Sequence, residues 1–121
     1  GGLHGIEKLD WIAITGGGSA GKGLVAGTTA QSVNYQPFDL DFAGSFGSDE
    51  FAFFADMQTR AGGDTATVRI IDLSGDRAVL AIEEERSRDG EVWHLAEAVG
   101  YVGMETGLIE GDLNVADLLI T

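Results

Sequence analysis

The chain has 121 residues, enough for one domain, and its 44% apolar share with a single proline belongs to a globular protein with one core. Twenty acidic against seven basic residues leave a formal net charge of −13, which excludes nucleic acid and anionic lipid as partners. No cysteine is present, which excludes disulfides and thiolate metal sites, and no apolar run approaches the roughly 18 residues of a membrane helix.

Nineteen glycines spread along the whole length, with little helical periodicity, predict an all-β chain of short strands and tight turns. In chain order, the opening Gly1-Gly2-Leu3-His4 lacks a charged start, an apolar stretch or a cleavage site, so any targeting signal is expected to be gone already. The first predicted strand is Ile6 to Thr15. Gly16-Gly17-Gly18-Ser19-Ala20-Gly21-Lys22-Gly23 then comes close to a phosphate-binding loop. It departs from one in that Gly23 stands where a Ser or Thr must hold magnesium, and Leu24 to Ala30, with Gly27 and a threonine pair, makes a poor helix. A linking loop is the expectation there. Further strands are predicted at Ser32 to Phe42, Glu50 to Met57, Thr65 to Leu73, Ala78 to Glu85 and Val92 to Met104. Ser74-Gly75-Asp76 and Arg88-Asp89-Gly90 supply turn chemistry between them. Apolar residues on both faces near the end of Thr65 to Leu73 mark that strand as an inner one.

The chain also repeats itself. A shift of about 90 positions lays His4-Gly5-Ile6-Glu7 on His94-Leu95-Ala96-Glu97 and Trp11 on Tyr101. The match continues without gaps through Gly17 on Gly107, Gly21 on Gly111, Val25 on Val115 and Ala26 on Ala116. Residues 1–15 then read as the last strand of a preceding repeat, 16–105 as a complete repeat, and 106–121 as the start of the next. Leu9 to Thr15 and Val99 to Glu105 become two versions of one strand, and the spare version is expected to pair at a sheet edge of a neighbouring copy.

Glu97 shares a strand face with Val99 and Tyr101, so its carboxylate is expected inside, with Arg69 as its cationic partner and Glu84 as the alternative acid. His4 with Glu7, and His94 with Glu97, are three apart, which on a strand sets them on opposite faces and excludes a shared zinc ion. Glu83-Glu84-Glu85-Arg86 offers the paired carboxylates of a hydrolase, but its place beside a turn fits a solvated charge cluster on an edge strand. Without a nucleophile and base in any recognisable arrangement, no enzyme is expected.

Phe53-Phe54-Ala55-Asp56-Met57-Gln58-Thr59, Ala66 to Leu73, Ala78 to Glu85 and Glu97 to Glu105 together resemble an H-type lectin domain, the snail-agglutinin family, over roughly Ser32 to Glu105. The resemblance implies an antiparallel β-sandwich of about six strands, often trimeric, that binds galactose-type sugars at subunit boundaries. Where the agglutinins carry a Trp-His pair after the fifth strand this chain has Glu85-Arg86, and Thr65 stands in place of the binding arginine. Trp93 and His94 restore the residue types a little downstream. A sugar site is therefore expected around Trp93, His94, Arg86, Arg88 and Asp64, where turns bring an aromatic face to donors and acceptors. Similar domains in bacterial surface and secreted proteins accompany adhesive modules. The expectation is thus a non-catalytic, extracellular or cell-surface carbohydrate-binding module of a tandem-repeat protein. It needs no cofactor, with calcium the one ion left open, and its partners are a glycan or neighbouring copies in an oligomer or array. The alternative is a ligand-free structural repeat that assembles by strand exchange.

Overall fold

The computed structural model describes residues 5–8, 23–84 and 94–106. Six strands and no helix occur among them: β1 (Leu24–Thr28), β2 (Phe38–Asp41), β3 (Phe51–Met57), β4 (Ala66–Leu73), β5 (Arg77–Glu84) and β6 (Val99–Glu105). They form two antiparallel three-stranded sheets, ordered β1-β6-β3 and β2-β5-β4.

Alternation explains β3 directly. Phe51, Phe53, Ala55 and Met57 are half-buried, while Ala52, Phe54 and Asp56 between them are exposed. Val25 of β1 and Val99 of β6 belong to the same buried cluster as Leu40 of β2 and Ala78, Leu80 and Ile82 of β5, so both sheets contribute to one core. Phe42 fills the end nearest the Ser74-Gly75-Asp76 turn. It meets Phe46 edge-on at 5.1 Å, and Phe46 stacks on Phe51 at 4.5 Å between ring centroids.

The chain between β2 and β3 turns through Ala43 and Gly44, both at positive φ, with Asp41 Oδ1 accepting the Ala43 amide at 2.7 Å. Gly103 answers a different need, because a Cβ there would stand 2.7 Å from Phe46 Cζ and 3.0 Å from Val25 Cγ1. The central strand of its sheet thereby lets the aromatic cluster approach its backbone.

Several expectations are corrected. β1 occupies Leu24–Thr28, a segment that reads as a poor helix and lies outside the predicted strands, because pairing with β6 supplies its backbone hydrogen bonds. The first half of Ser32 to Phe42 is not strand. Val33 makes an isolated bridge to Glu97, and Asn34 Oδ1 caps a turn by accepting the Gln36 amide ahead of Pro37. Among the described residues β4 lies at the edge of its sheet and pairs only with β5, where an inner strand was expected. A bulge between Ile70 and Asp72 interrupts that pairing, and Ile70, Ile71 and Leu73 around it are exposed. Conversely β5, expected at an edge, is the centre of its sheet, and Glu84 is buried there. Residues 6–8 are exposed and lie in no strand, and Leu9 to Thr15, Gly16 to Lys22 and 107–121 lie outside the described residues.

The contrast between Gly103 and Gly63 tests this packing, since a Cβ on Gly63 would meet nothing within 4 Å. Gly103→Ala is expected to lower unfolding free energy by about 1–3 kcal/mol through overpacking, and Gly63→Ala to change it by less than about 0.5 kcal/mol. Urea midpoints of the two variants measure the difference.

Candidate functional site

At the end of the core opposite the Phe42 cluster, three elements converge: the end of β3 with the segment after it, the start of β4, and residues 94–98 leading into β6. Gln58 N donates to Ala98 O at 2.8 Å, and Ala98 N donates to Thr59 Oγ1 at 2.9 Å, so the β3 exit is tied to the β6 entry. On the other side Glu97 exchanges two backbone hydrogen bonds with Val33, at 2.8 and 3.1 Å. This places the Glu97 side chain inside, with no exposed surface.

A buried carboxylate must be hydrogen-bonded. Glu97 Oε2 accepts from the Thr59 hydroxyl, and Oε1 accepts from the amides of Ala61 at 2.7 Å and Gly62 at 3.3 Å. His94 Nε2 lies 2.9 Å from the same Oε1, and His94 Nδ1 lies 2.9 Å from Glu84 Oε1. The imidazole is thus held between two glutamates, all three side chains being buried. Among the described residues no buried side-chain nitrogen or oxygen lacks a partner.

Electrostatics follow from the geometry. Burial alone pushes the Glu97 carboxyl up, but the hydrogen bonds from Thr59, His94, Ala61 and Gly62 outweigh it and hold the group down at about 2. For His94, burial favours the neutral ring, yet the hydrogen bonds to Glu84 and Glu97 and their charges prevail and raise it above the ordinary 6.5.

Over this cluster opens a cleft of about 260 Å³, floored by His94 and Glu97 and rimmed by Asp56, Arg60, Asp64 and Thr65, with Met57 and Ala66 as its apolar wall. A second cleft of about 310 Å³, on the β2-β5-β4 sheet, is lined by Tyr35, Pro37, Arg69, Ile71, Glu83 and Glu84. Glu84 therefore lies between the two. Among the described residues no group of three or more His, Cys, Asp or Glu side chains is placed to hold a metal ion.

Of the residues singled out in the sequence, the structure brings Asp64 and His94 to one cleft, while Trp93, Arg86 and Arg88 lie outside the described residues. His94 and Glu97 do meet, contrary to the opposite-face reading, because residues 94–98 are not strand and the three-residue spacing carries no strand parity there. The expected ion pair is also corrected. Arg69 reaches Glu83 at 3.9 Å on the surface, the two side chains 61% and 44% exposed, and the group that faces the buried glutamates is His94 instead. Parity within β4 turns Arg69 outward, away from the face that Ala66 and Val68 present to the core. Arg60, Ala61 and Gly62 carry no sequence expectation, and Thr59 enters only as the end of the lectin-like segment; their signal is a turn-rich stretch directly after an alternating strand.

No protein-family model, curated protein or solved structure matches the chain.

Removing the Glu97 carboxylate leaves His94 its pair with Glu84 but takes the acceptor from the Thr59 hydroxyl and from the Ala61 and Gly62 amides, at about 1 kcal/mol or more for each. Glu97→Ala is therefore expected to destabilise the fold by about 3 kcal/mol. Arg69→Ala, which breaks an exposed pair only, is expected to shift stability by less than about 1 kcal/mol. Thermal melts of both variants decide between this arrangement and an Arg69-centred core.

Proposed function

We propose that this chain is a non-catalytic carbohydrate-binding module, an antiparallel β-sandwich of the H-type lectin kind. In this reading residues 16–105 form one repeat of an extracellular or cell-surface adhesive protein. The observation that carries it is the cleft over the His94 cluster. Its rim presents Asp56, Arg60, Asp64 and Thr65, exposed and offering acceptors and donors to hydroxyl groups, beside an apolar wall of Met57 and Ala66. Its floor is rigid, because every polar atom of Glu97 and His94 already has a partner. The volume suits a ligand smaller than drug-sized compounds, such as a single sugar ring. Trp93, adjacent to His94 in the chain, is the aromatic that such a site calls for.

The same saturation argues against turnover. A general acid needs a proton to give near working pH, and Glu97 is held ionised and enclosed. The pairing of Glu84 and Glu97 through one imidazole serves the fold.

A second reading has its own support. Ile70, Ile71 and Leu73 are 41%, 47% and 38% exposed on β4, an edge strand of the described sheet, and such an edge suits pairing with a neighbouring copy. On that reading the chain is a structural repeat without ligand, assembling into an oligomer or filament.

A glycan array probed with the whole chain, with and without calcium, distinguishes the two. Binding of galactose-type sugars that falls at least tenfold in Asp64→Ala and Arg60→Ala, with melting points unchanged, supports the module. A blank array together with concentration-dependent mass in light scattering supports the structural repeat.

A further inference from the structure

The His94 contacts demand a particular protonation state. A neutral imidazole carries one N–H, so in that form one of the two 2.9 Å contacts sets a ring lone pair against a carboxylate oxygen. With both carboxyl groups ionised, only the imidazolium makes both contacts hydrogen bonds. Each packed element supplies a group around the ring. Glu84 comes from the end of β5 and Glu97 from the segment before β6, while Thr59 and the Ala61 and Gly62 amides come from the segment after β3. Asp56, Arg60 and Asp64 stand around the cleft above. The 59–62 backbone also lies directly on the ring, since a Cβ at Gly62 would stand 2.5 Å from His94 Cε1.

We propose that Glu84, His94 and Glu97 form a proton-operated latch, in which protonated His94 draws the two glutamates together and so holds residues 59–62 closed over Glu97. When the proton leaves, two buried carboxylates face each other across a neutral ring, and the cheapest relief is for Glu97 to take up water and let go of the Ala61 and Gly62 amides. The cleft then loses the wall from which Thr59 and Arg60 arise. The latch stands whether or not the cleft takes a sugar.

The direction of the pH dependence follows from the raised His94 value. Closure is complete below the ordinary 6.5 and is lost as pH rises through the higher folded value. The depressed Glu97 sets the acid limit, because stability is complete above 4.5 and falls away as pH drops toward about 2.

The chain contains two histidines, so His4→Gln leaves His94 as the single imidazole signal in a proton NMR titration. The expected result is a His94 midpoint above 6.5, with hydrogen-exchange protection of the Ala61 and Gly62 amides, corrected for base catalysis, lost across the same interval. A midpoint at or below 6.5, or protection that persists through the titration, overturns the latch. Glu84→Gln keeps an acceptor but removes one charge, and is expected to move the midpoint and the loss of protection together to lower pH. A midpoint that moves without the amides following also overturns the proposal. Should that variant fail to fold, the His4→Gln titration decides alone.

Discussion

Burying an ionised carboxylate is among the most expensive things a small domain can do, and Glu97 is buried completely. Everything at one end of the molecule is arranged to make it tolerable. The Thr59 hydroxyl donates a hydrogen bond to Glu97 while its oxygen accepts one from the Ala98 amide, so one side chain both satisfies the charge and joins β3 to the approach of β6. Two further amides close around Oε1, and the Glu97 backbone is itself paired to Val33. A loop with no apolar anchor of its own is held in place by what the carboxylate needs.

The two ends of the core are therefore stabilised by different physics. At the Phe42 end, rings at 4.5 to 5.8 Å and a glycine that admits them supply tight, directionless burial. At the other end hydrogen bonds to charged groups do the holding, and these are stronger but depend on protonation. The end held by charged groups is the one with the cleft floored by His94 and Glu97.

What the sequence disclosed, and what it hid, divides along the same line. β3, β4, β5 and most of β6 were legible because alternation and turn residues act locally. β1 was not, since Leu24–Thr28 owes its conformation to a partner strand far along the chain and has no strong pattern of its own. The places of β4 and β5 within their sheet were exchanged for a related reason. Apolar residues on both faces of β4 suggested cover on both sides, yet its outer half lies past a bulge, while β5 ends in acidic residues and is nonetheless central. At the site, the parity that Glu97 shares with Val99 gave no sign of which cation would face it. Extending strand geometry back to His94 hid the contact between the two, because the chain leaves the extended form before Val99.

The order of one sheet also bears on how the molecule comes to exist. β6, the middle strand, is the last of the three in the chain, and β1 and β3 each hydrogen-bond to it. Val99 N, at its start, donates to Thr29 Oγ1 across 70 residues of intervening chain. During synthesis β1 and β3 must therefore wait for β6 before their shared sheet can form, while β4 and β5 can pair as soon as the short Ser74-Gly75-Asp76 turn has been made. Glu97 arrives just ahead of β6, so the charge cluster and the central strand are completed in the same few residues, and neither half of the core closes before the other is nearly in place.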